Sequence, residues 1–177
     1  MNNLRITSGE YKGRKITTPG GHTHPMGERE RLALFNVIAD YIPDAKVLDA
    51  FAGSGALGIE ALSRGALSVV FMEKDVNACQ IIKQNLTELS IDPTRASVLR
   101  NDVYQTIADT PDQWEVVIAD PPYDMYDERK IQILARVVAT PRGILVLSHP
   151  GEAPELPGLK LIKTRTYAAA HLSVYAK

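Results

Sequence analysis

Asp120-Pro121-Pro122-Tyr123 closes the apolar run 114–119, WEVVIA, and its residue types suit chemistry on an amine. Two successive prolines fix the backbone after a strand, so the Asp120 carboxylate and the Pro121 carbonyl can project rigidly into one space. An exocyclic base amine is a poor nucleophile, because its lone pair is delocalised into the ring. Two acceptors holding its two N–H bonds favour a tetrahedral nitrogen, whose lone pair can attack a methyl sulfonium. Such catalysis is positioning plus charge stabilisation. Tyr123 adds a flat face on which an extruded or single-stranded base can stack. The expected catalytic residues are Asp120, Pro121, Pro122 and Tyr123.

The second chemical stretch is 46–62, KVLDAFAGSGALGIEAL: a short apolar run, three glycines, then helical spacing. Gly53-x-Gly55-x-x-Gly58 fits the dinucleotide fingerprint, and Glu73 stands twenty residues beyond Gly53, where an acid for ribose hydroxyls is expected. A ligand at the following helix N-terminus meets unpaired N–H groups and the positive end of the dipole. Asp49, just ahead of the glycines, would repel a pyrophosphate and attract a cationic or amino-bearing ligand. S-adenosylmethionine, with its ammonium, sulfonium and ribose diol, suits an acid-lined turn better than a nicotinamide dinucleotide does.

These residues need a scaffold that brings them to one edge. Apolar runs at 47–51, 67–72, 96–100, 114–119 and 143–147 read as strands, alternating with helical spacing at 56–62, 76–89, 103–108 and 128–138; a final strand pair is expected at 159–166 and 170–176. That alternation predicts a doubly wound, mostly parallel α/β sheet, with ligands outside the strands' carboxyl ends. Asp49, Glu73, Asp102 and Asp120 each close a strand, so four acids are expected at one edge. Ahead of the sheet, 4–8 and 14–18 read as a small hairpin around Gly9–Gly13, whose loop carries Tyr11, Lys12, Gly13 and Arg14 as a basic-aromatic tip suited to bases and phosphates. A breaker-rich linker follows from Pro19 to Pro25, then a helix over 28–42 with Arg29 and Arg31 in its first turn, either of which can face a substrate. The division is residues 1–25, an RNA-facing extension and linker, and 26–177, the catalytic domain.

At 177 residues and 45% hydrophobic content the chain buries one sizeable core. It has no run of about 18 apolar residues, hence no membrane span, and its first residues are polar rather than a secretory leader, so a cytoplasmic protein is expected. One cysteine, Cys79, excludes an internal disulfide and a cysteine-rich zinc site. The net charge of −1 is uneven: residues 1–31 hold six Lys/Arg against three Asp/Glu, residues 160–177 hold four against none, and the body between them carries −8. Basic ends on an acidic body suit a polyanionic partner, since Lys and Arg displace counterions from phosphates.

The stretches 49–61 (DAFAGSGALGIEA), 71–75 (FMEKD), 120–123 (DPPY) and 8–14 (SGEYKGR), with Arg31-x-x-Leu34-Phe35, resemble the RsmD family of bacterial methyltransferases, which act on a guanine N2 of 16S ribosomal RNA. The resemblance runs over nearly the whole chain. The glycine motif and DPPY are shared by many amino-methyltransferases, whereas SGEYKGR followed by the arginine motif is more particular. It implies a class I methyltransferase fold of seven strands, the last antiparallel, with S-adenosylmethionine as donor. By that resemblance Asp49 and Gly53, Ser54 and Gly55 surround the methionine part, Glu73 holds the ribose hydroxyls and Asp102 lies beside the adenine amine, with Phe51, Lys74, Asn101 and Val103 also binding the donor. Asp120 borders both donor and target guanine, and Gly9, Lys12, Gly13, Arg14, Arg31 and Tyr123 contact the RNA. Two departures fall where substrate is held: His24-Pro25-Met26 replaces the family's Arg-Pro-Thr, and Ser148-His149 stands where an acid is usual.

The expected partner is 16S ribosomal RNA, free or within a small-subunit particle, and the expected enzyme is a monomer that needs no metal because the sulfonium is already activated. A nicotinamide-dependent oxidoreductase is favoured by the glycines and Glu73, but it leaves Asp49 and DPPY without a role. A non-catalytic RNA-binding assembly factor has no need of Asp120. Adenine N6 or a protein glutamine amide are further acceptors that a DPPY-like pair can hold; the basic ends favour nucleic acid.

Overall fold

The computed structural model describes residues 3–19, 26–139, 141–167 and 170–177. β1 (Asn3–Arg5) and β2 (Lys15–Thr17) pair antiparallel, with Leu4 opposite Ile16. They are shorter than the expected 4–8 and 14–18, because Thr7 and Ser8 give their N–H groups to the Glu60 carboxylate instead of to a partner strand. Beyond Pro19 the expected linker lies outside the described residues, and His24 and Pro25 with it.

α1 (Glu28–Val37) buries Leu34 and Phe35, then leaves helical geometry at Ile38, so 39–42 continue as a tighter turn rather than as the expected longer helix. The sheet follows with its helices: β3 (Lys46–Ala50), α2 (Ala56–Ser63), β4 (Ser68–Glu73), α3 (Val76–Glu88), β5 (Ala96–Arg100), α4 (Val103–Asp109), β6 (Val116–Ala119), α5 (Glu128–Ile131), β7 (Ile144–His149), β8 (Lys160–Tyr167) and β9 (Ala170–Ala176). α5 is one turn long where a helix over 128–138 is expected. Residues 132–137 wind as a 3₁₀ segment and then straighten, because Trp114 and Val138 form a parallel bridge in which Trp114 donates to the Val137 carbonyl.

The strand order is β5-β4-β3-β6-β7-β9-β8, with β3 to β7 parallel and β9 antiparallel to both of its neighbours. This is the seven-stranded, doubly wound class I methyltransferase sheet with its reversed last strand. Its side chains alternate with the strand period of two. Val47, Val69, Phe71, Val116, Ile118 and Val146 join the core beneath α1, α2 and α3, while Leu48, Ala50, Met72, Val117, Ala119 and Leu147 join the core beneath α4 and the 128–137 segment. Both faces are covered, which is why the strands read as continuous apolar runs. The chain winds outward from β3 through β4 to β5, then returns to β6 on the other side of β3. The crevice opens where those two directions part, at the carboxyl ends of β3 and β6.

The hairpin is not a free arm. Glu10 donates its N–H to the Ser63 carbonyl, Tyr11 donates to Ser63 Oγ, and Tyr11 is 8% exposed. A Cβ on Gly9, whose φ is 81°, would stand 1.8 Å from the Ser63 carbonyl oxygen. Gly9→Ala is therefore expected to cost roughly 1–3 kcal/mol by overpacking, a drop of several degrees in melting temperature. A variant melting with the native chain would show that this contact yields freely.

Candidate functional site

Asp120 follows β6 directly, and Ala119 of β6 pairs in register with Ala50 of β3, so the DPPY segment and the glycine turn leave adjacent strands at the same edge. Phe51 opens the glycine turn at φ 63°, a left-handed conformation that a bulky side chain adopts at a cost of about 1–3 kcal/mol and that concentrates at functional turns. Its ring meets Tyr104 edge-on, with centroids 5.4 Å apart. Burial pushes the Tyr104 hydroxyl up to about 12, and its oxygen has no hydrogen-bond partner among the described residues. Gly55, at φ 77°, ends the turn and starts α2. Ser54 is buried, and its carbonyl accepts from Asn85 Nδ2, which ties the turn to α3.

Glu73 closes β4 and braces the turn: Oε2 accepts from the Gly53 N–H at 2.9 Å and Oε1 from the Asp75 N–H at 2.9 Å. Each oxygen keeps a lone pair for a further donor, the requirement for holding two ribose hydroxyls. Lys74, next to it, is exposed. Asn101 donates its N–H to the Glu73 carbonyl, and Asp102 caps α4 by accepting from the Gln105 N–H. Asn101, Asp102, Gln105, Thr106, Asp109 and Thr110 line a shallow concavity along α4, and Val103 is buried.

Asp49 does not face the ligand side of the turn as expected. It shares the strand face of Val47, so its side chain lies beneath α2, 1% exposed, with Oδ2 accepting from the Gly58 N–H at 2.8 Å. Gly58 permits that approach, since a Cβ there would meet Phe71 and Val69. The side chain lies behind the turn, away from the open side. Burial holds the Asp49 carboxyl well above the usual carboxylate range; the Gly58 hydrogen bond works against this, and the nearby Asp120 and Glu73 carboxylates add to it. A group whose folded value is raised contributes stability fully below its unfolded value of about 3.9, and the contribution is lost as pH rises through the folded value. Asp49→Asn, uncharged throughout, is therefore expected to gain in melting temperature relative to the native chain as pH is raised above about 4. A melting-temperature difference that is flat in pH would contradict this.

Asp120 is partly buried, which raises its carboxyl, while a hydrogen bond from Ser148 lowers it. Pro121 is buried, whereas Pro122 and Tyr123 are exposed. The Tyr123 hydroxyl lies 3.1 Å from Ser148 Oγ. Ser148, expected only as a departure from the family's acid where substrate is held, stands at the end of β7 beside DPPY. Neighbouring His149 is fully buried, with Nε2 2.8 Å from Ser173 Oγ and burial pushing its ring below the ordinary histidine value.

The residues expected on RNA divide. Lys12, Gly13 and Arg14 are exposed at the hairpin turn, and one Arg14 nitrogen donates to the Glu88 carbonyl. Gly9 is packed on α2, as described. Arg31 is 1% exposed and commits its guanidinium internally, to Glu60, the Met26 carbonyl and the Arg5 carbonyl. It is a structural cation rather than a substrate contact, because every one of its nitrogens finds an acceptor inside the fold. Among the described residues no group of three or more His, Cys, Asp or Glu side chains is placed to hold a metal ion, and no helix is long and apolar enough to cross a membrane.

Residues 4–176 match the family model described as conserved hypothetical protein 95. Ribosomal RNA small subunit methyltransferase D of Haemophilus influenzae is 37% identical over 68% of this chain and 64% of its own length. The chain belongs to the RsmD family. A second relative, the rRNA methyltransferase candidate YlbH of Bacillus subtilis, is 33% identical over 98% of this chain and 99% of its own. The likeness extends to three dimensions: the methyltransferase candidate yhhF of Escherichia coli superposes with a TM-score of 0.89 at 30% identity, covering 99% of this chain and 98% of the other.

Proposed function

We propose that the protein transfers a methyl group from S-adenosylmethionine to the exocyclic N2 amine of a guanine in 16S ribosomal RNA. The observation that carries this reading is the adjacency of Asp120 and the glycine turn on neighbouring strands at one edge of the sheet. S-adenosylmethionine, when bound, supplies an electrophilic methyl group on a sulfonium. The residues present fit it: Glu73 keeps free lone pairs at the rim of the turn, and the Glu73 and Asp120 carboxylates both lie close enough to Asp49 to raise its carboxyl, so acidic groups cluster where a cationic ligand would sit.

The chain's own groups do the rest. The Asp120 carboxylate and the Pro121 carbonyl accept the two N–H bonds of the target amine and turn its lone pair toward the donor. Tyr123, 40% exposed at the mouth, stacks on the splayed base. Lys12, Gly13 and Arg14 at the hairpin turn meet the RNA backbone, so residues 1–25 serve the polyanion and 26–177 the chemistry. The enzyme works as a monomer in the cytoplasm, on RNA or on a partly assembled small subunit.

Tritiated-methyl transfer to ribosomal RNA and to 30S particles from cells lacking the gene, followed by nucleoside analysis, tests this. N2-methylguanosine in 16S RNA is expected. Label in adenosine, or only in protein, would overturn the substrate assignment.

A further inference from the structure

Ser148 stands one step beyond the pairing of Leu147 with Ala119, which sets it across the parallel ladder from Asp120. By the strand period of two it shares the sheet face of Ile144 and Val146, as Asp120 shares that of Val116 and Ile118, so both side chains leave the sheet on the same side. Ser148 is 2% exposed; its hydroxyl lies 3.1 Å from the Tyr123 hydroxyl, and from its place across the ladder it acts to lower the Asp120 carboxyl, as a hydroxyl donating to that carboxylate does.

The direction of these bonds follows from their inventories. A serine hydroxyl has one hydrogen and two lone pairs, and an ionised carboxylate only accepts. While Asp120 is ionised, Ser148 must give it its single hydrogen. Tyr123 must then donate to a Ser148 lone pair. The result is a directed chain, Tyr123 to Ser148 to Asp120, in which one buried hydroxyl fixes both the ring offered to the base and the acceptor offered to the amine.

We infer that Ser148 is a positioning residue for methyl transfer, coupling the stacking ring of Tyr123 to the acceptor carboxylate of Asp120 through a single hydroxyl. The inference deepens the proposed function and rests on it for its kinetic consequence, though not for the hydrogen-bond chain itself. A buried strand-end serine can also serve merely to end the strand. The distinguishing property is then its hydroxyl, not its volume.

The test compares Ser148→Thr with Ser148→Val in the full chain. The two replacements share the added methyl group and the β-branched shape, so overpacking cancels between them and only the hydroxyl differs. Carbon-13 NMR titration of the Asp120 carboxyl is expected to give a higher pKa in Ser148→Val than in Ser148→Thr, since only threonine can donate to the charged form. Methyl-transfer rates are expected to fall about tenfold further in Ser148→Val, the worth of one lost charge-assisted hydrogen bond, with the acidic limb of the pH profile moved to higher pH. Adding Tyr123→Phe, which keeps the ring and removes the hydroxyl at an exposed position, is expected to cost little more in Ser148→Val, because the chain is already broken. Equal Asp120 titrations in the threonine and valine variants would overturn the inference whether or not the enzyme methylates the chosen RNA. A native chain inactive on guanine in every RNA, with the titrations separated as expected, would instead overturn the proposed function and leave the hydroxyl chain standing.

Discussion

Asp120→Ala and Asp120→Asn are each expected to lower methyl transfer by ~10²–10⁴-fold while the fold melts within a few degrees of the native chain. The reason is local. Asp120 sits at the open edge of the sheet, not in either core, so its loss removes no apolar packing. Alanine leaves one N–H of the target amine without an acceptor. Asparagine keeps the shape but presents an amide whose NH₂ group can only donate, so in half of its orientations it meets the amine with a like dipole. Neither can supply the negative charge that grows more favourable as the amine nitrogen becomes cationic on receiving the methyl group. In the native chain the active form is the carboxylate, and burial raises its pKa, so activity is expected to fall as pH drops through that raised value. Single-turnover methyl transfer across pH, with melting curves of each variant, checks both statements. An Asp120→Ala enzyme within tenfold of the native rate would mean that the amine is activated elsewhere.

The parts of the site that could be read in the sequence are those whose meaning is carried by neighbours along the chain. Gly53, Gly55 and Gly58 declare a close turn because each lies in one short window, and Glu73, Asp102 and Asp120 declare an edge because each ends an apolar run of strand length. What could not be read depends on partners far away in sequence. Asp49 looks the same in the chain whether it faces a ligand or Gly58; only the face of β3 on which it falls decides, and a one-residue change of register would reverse it. Arg31 has the composition of a surface helix charge, but its acceptor Glu60 lies twenty-nine residues on, and Tyr11 looks like an exposed aromatic until α2 covers it. The 128–137 segment has helical spacing throughout, yet its 3₁₀ winding answers to the bridge at Trp114, which no local pattern announces. Tertiary partners override local propensity at these positions, and they do so most where the hairpin meets the sheet domain.

That junction carries the largest stability effect we expect. Glu60 on α2 is fully buried, and its carboxylate accepts from the Thr7 N–H at 2.9 Å, the Thr7 hydroxyl at 2.6 Å, the Ser8 N–H at 3.1 Å, Arg31 Nε at 3.4 Å and Arg64 Nε at 2.9 Å. One side chain thus joins the hairpin, α1 and α2. Removing it by Glu60→Ala strands a buried guanidinium and two backbone N–H groups at once, and breaking such a pair from one side costs ~3–5 kcal/mol. For a chain of this length that corresponds to a fall in melting temperature of roughly 10 °C. Arg31→Ala is expected to cost somewhat less, because Arg64 remains to balance the carboxylate. Replacing both partners by apolar residues of similar size, Arg31→Met with Glu60→Leu, is expected to be milder than the sum of the two single changes, since it leaves no buried charge unpaired at that pair. Loss of the anchor also predicts where the protein loosens first: amide exchange at Ile6, Thr7 and Ser8 should accelerate ahead of exchange in β3 and β6. A Glu60→Ala chain that melts within about 2 °C of the native one, or that loosens uniformly, would show that the hairpin is held by its apolar contacts alone and that the ion pair only follows the fold.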